Sequence, residues 1–206
     1  MRGGEWGRLG TGIGEMNTFE GGGARGCSSE LVGIIGGGKI GTTISSFCQA
    51  LGMRVQISER KSVPAAETRP NRTPFLDILT QSTTLILACP LSPSTQNLIS
   101  APELALMRRD AILINVARGG VVNEADLAKA LDQGEILGAA TDVFEREPVE
   151  RGESPLVRGE GVERVRNLTV SPHVAWFGRD SQEKCVRVVE QIFEGYLRGE
   201  RVNRVA

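Results

Sequence analysis

Short apolar runs alternate with polar or amphipathic stretches along most of the chain. The runs are of strand length and are bounded by glycine, proline or polar residues, which is typical of buried strands. The pattern predicts strands at residues 31–35, 53–57, 84–89, 111–116, 136–141 and 167–171. Most of these runs do not alternate between apolar and polar residues, which indicates strands covered on both faces.

The stretches between the strands have the periodicity of amphipathic helices. Predicted helices are at residues 40–51, 75–81, 103–107, 124–131 and 181–197, with Asn123 as the N-cap of the fourth. Residues 60–73 are polar and contain prolines, and no element is predicted there. Strands about 20 to 30 residues apart with helices between them predict right-handed βαβ units, and therefore a doubly wound α/β domain with a parallel sheet.

The first 30 residues differ from the rest because they hold ten of the 26 glycines and few aliphatic residues. Such a stretch loses much conformational entropy on ordering and buries little apolar surface. We therefore predict a glycine-rich arm at 1–30, the α/β domain at 31–178, and a C-terminal helix and tail at 179–206.

Composition excludes several classes of function. A net charge of −1 and a charged fraction of 24% give no basic excess for binding nucleic acid. The apolar runs are too short to span a bilayer, and the N-terminus lacks the apolar stretch of a signal peptide. The four cysteines are scattered, without a CxxC pair or metal-ligand spacing, so we expect no metal site and a reducing, cytoplasmic compartment.

A glycine-rich turn joins the first strand to the first helix. It has the spacing Gly36-x-Gly38-x-x-Gly41. The first glycine permits the tight turn, the second admits a pyrophosphate, and the third allows close packing of helix and strand. Glu59 ends the second strand, 18 residues after Gly41.

A carboxylate at the position of Glu59 accepts hydrogen bonds from the adenosine ribose and repels a 2′-phosphate, which predicts NAD as the cofactor in preference to NADP. Arg60 and Lys61 follow directly and partly offset that repulsion. The alternative is a turn that only reverses the chain, with Glu59 as a solvated charge at the end of a strand.

Three further segments each follow a predicted strand: residues 115–123 (NVARGGVVN), 140–148 (ATDVFEREP) and 171–176 (SPHVAW). The carboxyl ends of parallel strands lie at one edge of the sheet, so these segments are expected to converge on one crevice. His173 is the only histidine of the chain and therefore the only candidate for proton transfer by an imidazole.

In order and spacing, these motifs from about residue 31 onward resemble the D-isomer-specific 2-hydroxyacid dehydrogenases. The resemblance implies a Rossmann-type NAD-binding domain at 31–178 and an oxidoreductase that transfers hydride between NAD(H) and a small 2-keto or 2-hydroxy acid. It assigns Arg118 to binding the substrate carboxylate and His173 to general acid–base catalysis. It assigns Glu147 to orienting the His173 imidazole and favouring its protonated form. The alternatives are that Arg118 serves only its turn and that Glu147 is one more loop charge.

The resemblance also implies which residues contact the cofactor. Lys39 and Ile40 lie against the phosphates with the three glycines, and Asp142 faces the nicotinamide carboxamide. The remaining expected cofactor contacts are Cys89, Pro90, Val116, Ala117, Arg118, His173, Ala175 and Trp176.

Trp176 bears on which branch of the family this chain resembles. An H-x-A-W segment occurs in some glycerate dehydrogenases, also called hydroxypyruvate reductases, and in the C-terminal binding protein corepressors. The resemblance implies hydroxypyruvate or glyoxylate as the substrate, and a bulky indole beside the substrate narrows the choice among keto acids. Alternatives are an indole that only packs the last helix, an NAD-sensing interaction module like the corepressors, and a remnant without function.

The resemblance covers only part of the family's architecture. The family's substrate-binding domain precedes the dinucleotide domain, and here it is missing. Residues 1–6 (MRGGEW) resemble the segment that comes just before the dinucleotide domain, near the contact of the family's homodimer. Residues 199–205 match the family's C-terminus. Cofactor binding is therefore expected to persist, whereas turnover normally needs a cleft closed by both domains.

Overall fold

Six parallel strands form one sheet in the order β2-β1-β3-β4-β5-β6. The strands are β1 Leu31–Ile35, β2 Arg54–Ile57, β3 Thr84–Leu87, β4 Ile112–Asn115, β5 Gly138–Thr141 and β6 Leu168–Val170. This computed structural model describes residues 25–202, in two units that divide between Val170 and Ser171. The predicted fold class, a Rossmann-type parallel sheet, is confirmed. Most of the predicted arm lies outside the described residues, and the domain boundaries stay a prediction.

Four helices of the first unit connect the strands: α1 Lys39–Ala50, α2 Phe75–Gln81, α3 Ala101–Leu106 and α4 Glu124–Asp132. The second unit holds α5, Arg179–Leu197. Asn123 is the N-cap of α4, as predicted, since its Oδ1 accepts a hydrogen bond of 3.0 Å from the backbone N–H of Asp126. The predicted bounds of β1 and α2 are confirmed, whereas α3 begins at Ala101, before the predicted residue 103. A capping box of Ser100 and Glu103 starts α3 there.

Apolar side chains cover both faces of the sheet, which explains why most strands do not alternate. On one face Val32, Ile34 and Ile86 are buried, with Ile44 and Cys48 of α1 packed against them. On the other face the larger core joins the strands to α2, α3 and α4, and its fully buried side chains include Ile78, Leu79, Leu85, Leu87, Leu104 and Leu113. Within residues 25–202 no helix has the length and apolarity needed to cross a membrane.

The chain direction across the sheet reverses between β1 and β3. From β1 the chain crosses to β2 at one edge, and from β3 it proceeds through β4 and β5 to β6. In open parallel sheets, ligands bind at the carboxyl ends of the strands beside this switch point. Residues 60–73, for which no element was predicted, contain a short 3₁₀ helix, Ala65–Glu67, and return to β2 through a hydrogen bond from Thr73 N–H to Ile57 O.

Candidate functional site

The glycine turn after β1 is packed against the end of β3. Gly36 has a φ of +114°, and a Cβ there would lie 2.5 Å from the carbonyl oxygen of Ala88. A Cβ at Gly41 would lie 1.9 Å from the carbonyl oxygen of Gly36. A Cβ at Gly38 would meet nothing within 4 Å. Gly36 and Gly41 therefore permit the turn, and Gly38 leaves its backbone open to a ligand.

Helix α1 begins directly at this turn. Gly38 is its N-cap and provides no side-chain cap, and the first turn holds no acidic residue. The first backbone N–H groups of a helix have no partner within the helix, and they carry the positive end of its dipole. Lys39 and Ile40, both exposed, begin this first turn. The start of α1 therefore suits a phosphate group.

A cavity of about 850 Å³ lies beside the turn. Its lining includes Gly36 and Gly38 from the turn, Glu59 after β2, and Cys89 and Pro90 after β3. Burial raises the pKa of the Cys89 thiol, so that side chain is uncharged at neutral pH. The volume is within the range of small-molecule and cofactor sites, about 300–1,000 Å³.

Glu59 is buried, and its carboxylate is held by Arg69. Arg69 Nε and Nη2 donate to the two carboxylate oxygens at 2.7 and 2.6 Å. The backbone N–H groups of Arg60 and Arg69 donate to the same carboxylate at 2.9 and 3.2 Å. The hydrogen bonds from the Arg69 side chain are the main cause that lowers the pKa of Glu59 to about 2. The sequence predicts that the Glu59 carboxylate accepts hydrogen bonds from a ribose. In the structure this carboxylate already accepts four hydrogen bonds from the protein.

Other cations line the same cavity. Lys61 donates to Glu103 Oε1 at 2.9 Å. Although burial tends to raise the pKa of Glu103, the hydrogen bonds from Lys61 and Ser100 lower it. Arg72 lies across the glycine turn, so that a Cβ at Gly37 would lie 2.1 Å from its Nη1.

The loop after β4 is held by its own side chains. Asn115 Oδ1 accepts from the backbone N–H of Ala117 at 3.1 Å, and Asn115 Nδ2 donates to the carbonyl of Arg118 at 3.2 Å. The Arg118 side chain is exposed, with its Nη1 donating to the carbonyl of Ala117 at 2.7 Å. The two hydrogen bonds of the buried Asn115 side chain hold the backbone of this loop at Ala117 and Arg118.

The loop after β5 lies directly against the loop after β4. The backbone N–H of Asp142 donates to the carbonyl of Asn115 at 3.1 Å. A Cβ at Gly119 would lie 1.7 Å from the carbonyl oxygen of Phe144. Glu147 Oε1 in turn accepts from the backbone N–H of Phe144 at 2.8 Å. Gly119, which follows Arg118, therefore packs against Phe144, and the backbone N–H of Phe144 is hydrogen-bonded to Glu147.

The second unit contains the remaining predicted residues, His173, Ala175 and Trp176. His173 is half-buried and has a φ of +55°, a backbone conformation that is uncommon for residues other than glycine. Trp176 Nε1 donates to the carbonyl of His173 at 2.9 Å, and the indole contacts Phe177 edge to face. The indole therefore stabilises the turn that carries the histidine.

The first unit thus brings together most of the predicted site along the carboxyl edge of the sheet. The glycine turn, Glu59, Cys89 and Pro90 share the cavity, and Val116, Ala117, Arg118, Asp142 and Glu147 lie on the adjoining loops after β4 and β5. Arg69, Arg72 and the role of Asn115 at this site were not predicted from the sequence. The sequence feature that could have indicated the two arginines is the group of basic residues after Glu59, at positions 60, 61, 69 and 72.

Comparison with known proteins finds relatives of this chain. Residues 2–175 match the sequence profile of the D-isomer specific 2-hydroxyacid dehydrogenase, NAD binding domain. A hydroxypyruvate reductase of Blautia hydrogenotrophica is 34% identical over 175 residues, which cover 84% of this chain and 52% of that protein. A glycerate dehydrogenase of Methylorubrum extorquens is 38% identical over 181 residues, which cover 86% of this chain and 53% of that protein.

Among solved structures, a D-isomer specific 2-hydroxyacid dehydrogenase from Xanthobacter autotrophicus Py2, in complex with NADPH and MES, is similar in fold. The TM-score is 0.70 at 31% identity, over 88% of this chain and 73% of that one. The chain spans about half the length of the two curated relatives it matches.

Proposed function

Because the chain belongs to the D-isomer specific 2-hydroxyacid dehydrogenase family, we propose that it is the dinucleotide-binding part of an oxidoreductase that interconverts a small 2-keto acid and its 2-hydroxy acid. The observation that carries this proposal is the cavity at the glycine turn, with the loops of Arg118 and Glu147 at the same edge of the sheet. We propose hydroxypyruvate or glyoxylate as the keto acid, following the names of the relatives. The alternative of a corepressor-like interaction module has no support in these observations.

The residues of the turn fit a nicotinamide dinucleotide. Gly38 leaves its backbone open, and the first turn of α1 offers N–H donors to a pyrophosphate. We assign Gly36, Gly38, Lys39, Ile40 and Gly41 to the phosphates. Glu59 lines the same cavity, and we assign it to the adenosine ribose.

The loops after β3, β4 and β5 are assigned to the nicotinamide. When bound, the nicotinamide ring supplies or accepts the hydride. The residues assigned to hold the ring are Cys89, Pro90, Val116, Ala117, Arg118, Asp142, His173, Ala175 and Trp176. Cys89 and Ala117 are buried and apolar, which helps to exclude water from a hydride-transfer site.

Three charged or titratable side chains are assigned to the reaction itself. The planar guanidinium of Arg118 binds the substrate carboxylate and orients the carbonyl beside it. His173 donates a proton to the oxygen that becomes the hydroxyl, and in the reverse direction it accepts that proton. Glu147 is assigned to favour the protonated imidazole. Along the chain, Glu147 follows β5 and His173 follows β6.

The test is a pair of measurements on the same preparation: NADH binding by fluorescence titration, and NADH oxidation with hydroxypyruvate, glyoxylate or pyruvate as substrate. The Arg118→Gln variant is expected to lose keto-acid reduction, because the substrate carboxylate loses its cation. Its NADH binding is expected to weaken only slightly, because the other residues assigned to the cofactor remain. Arg109→Gln, which removes a charge from another exposed arginine of the first unit, is the matched control. Failure to bind NADH, or unchanged reduction in Arg118→Gln, contradicts the proposal.

A further inference from the structure

Arg72 occupies an unusual place for a charged side chain. Its guanidinium lies beside Gly37, where a built Cβ would be 2.1 Å from Nη1 and 2.3 Å from Nη2, and both residues line the cavity. Among residues 25–202 this guanidinium makes no hydrogen bond or ion pair. An arginine that lines a cavity and has no such partner is a candidate binding group for a phosphate or carboxylate, which its fork geometry matches.

The second observation concerns the acid that would repel such an anion. Glu59 lines the cavity, but both of its oxygens are bound by Arg69. The ion pair is neutral overall, and its carboxylate oxygens already have donors. Glu59 therefore contributes little repulsion toward a phosphate at this end of the cavity.

The balance of charge in the lining leaves two unpaired cations. Four basic residues, Arg60, Lys61, Arg69 and Arg72, line the cavity. Arg69 is paired with Glu59, and Lys61 with Glu103. Arg60 and Arg72 remain, and in the part of the chain that the structure describes neither guanidinium has a partner. Glu67, the other carboxylate nearby, lines a separate small cleft with Arg60 and Arg69.

NAD(H) and NADP(H) differ only by a phosphate on the 2′-oxygen of the adenosine ribose, which an arginine near the end of β2 accommodates. We propose that this cavity accepts the 2′-phosphate of NADP(H) as well as the unphosphorylated ribose of NAD(H), with Arg72 and Arg60 binding the phosphate and Arg69 neutralising Glu59. The proposal rests on the proposed function, because it places the adenosine ribose beside Glu59. It revises the preference for NAD that the sequence predicts, which assumed an unpaired Glu59.

The first experiment compares the dissociation constants of NADH and NADPH by fluorescence titration. NADPH is expected to bind at least as tightly as NADH. Arg72→Gln is expected to weaken NADPH by about tenfold, the loss of one hydrogen bond between charged groups, and to leave NADH nearly unchanged. Arg54→Gln, at the opposite end of β2, is the control for loss of one positive charge, and both dinucleotides should bind it as they bind the unmodified chain.

The second experiment tests the role of Arg69 by rescue. Arg69→Gln exposes the charge of Glu59 and is expected to weaken NADPH more than NADH. The double variant Glu59→Gln with Arg69→Gln removes both charges and is expected to regain most of the NADPH affinity. Because a merely structural role of Arg69 would affect both dinucleotides equally, the ratio of the two affinities is the deciding measurement. Circular dichroism confirms that each variant is folded.

A third measurement uses fragments that carry no nicotinamide. The adenosine fragment 2′,5′-ADP is expected to bind more tightly than 5′-AMP, and Arg72→Gln should remove the difference. If NADH and NADPH both fail to bind, the proposed function fails along with this inference. If NADH binds and NADPH binds far more weakly, only the inference is overturned. An equal loss of both dinucleotides in Arg72→Gln assigns Arg72 to the pyrophosphate and also overturns it.

Discussion

Gly119 and Phe144 lie so close that a Cβ on Gly119 would be 1.7 Å from the carbonyl oxygen of Phe144. Gly119 follows Arg118, and the backbone N–H of Phe144 donates to Glu147. This contact between the loops after β4 and β5 therefore fixes the backbone beside Arg118 against the loop that carries Glu147.

Substituting Gly119 by alanine is expected to destabilise the protein and to lower its activity. The added methyl group must push the two loops apart, and such overpacking costs about 1–3 kcal/mol. Urea unfolding and keto-acid reduction measure the two effects. Gly26→Ala, where a Cβ would meet nothing within 4 Å, is the control and should change stability by less than about 0.5 kcal/mol. Equal effects of the two substitutions would show that the contact is not tight in solution.

The ion pair of Glu59 and Arg69 predicts a loss of stability in acid. The pKa of Glu59 is lowered from an ordinary 4.5 to about 2 in the folded protein. The stabilisation is therefore fully present above pH 4.5 and is lost as the pH falls toward 2. In urea unfolding, the unmodified chain should be more stable than Glu59→Gln at pH 7, and the difference should narrow between pH 4.5 and 2. A difference independent of pH argues against an ionised Glu59.

His173 is expected to be required for turnover and not for cofactor binding. His173→Ala should lower keto-acid reduction by about a hundredfold or more, with NADH affinity nearly intact. Reduction needs the protonated imidazole and oxidation the neutral one, so reduction should be favoured at lower pH than oxidation. Rates measured in both directions across pH test this. Full turnover in the variant would remove His173 from the reaction.

The cap of α4 is expected to contribute to stability independently of the site. Asn123→Ala removes the acceptor of the hydrogen bond from Asp126 N–H and should destabilise the protein by about 1 kcal/mol. Asn123→Ser keeps an acceptor and is the matched control. Thermal unfolding measures both variants, and NADH binding should be the same in each. Equal stability of the alanine and serine variants would contradict the role of the cap.

The sequence alone was sufficient for the features that depend on neighbouring residues. Buried strands appear as apolar runs, the spacing of Gly36, Gly38 and Gly41 reports a turn between a strand and a helix, and Asn123 marks a helix start by its own side chain. Each of these signals depends on residues close together in the sequence, so it can be recognised without the tertiary structure.

The strand ends were less well predicted. Residues 136 and 137 were assigned to a strand, but β5 begins at Gly138. The paired residues begin at Gly138 with Ile112 of β4 and at Ala139 with β6, although the backbone N–H of Leu137 already donates to the carbonyl of Ala111 at 3.0 Å. Apolar periodicity does not contain that information, since Ile136 is buried without being part of the sheet.

Only the tertiary structure decided what surrounds the charged residues of the site. Glu59 and Arg69 are separated by a segment without periodicity, which folds back along the end of β2. Gly119 meets Phe144 because β4 and β5 are neighbours in the sheet, and Arg72 reaches the glycine turn because the segment after β2 returns beside β1. The sequence shows that residue 59 carries a carboxylate. Whether that carboxylate repels a phosphate depends on its ion pair with Arg69, which only the fold creates.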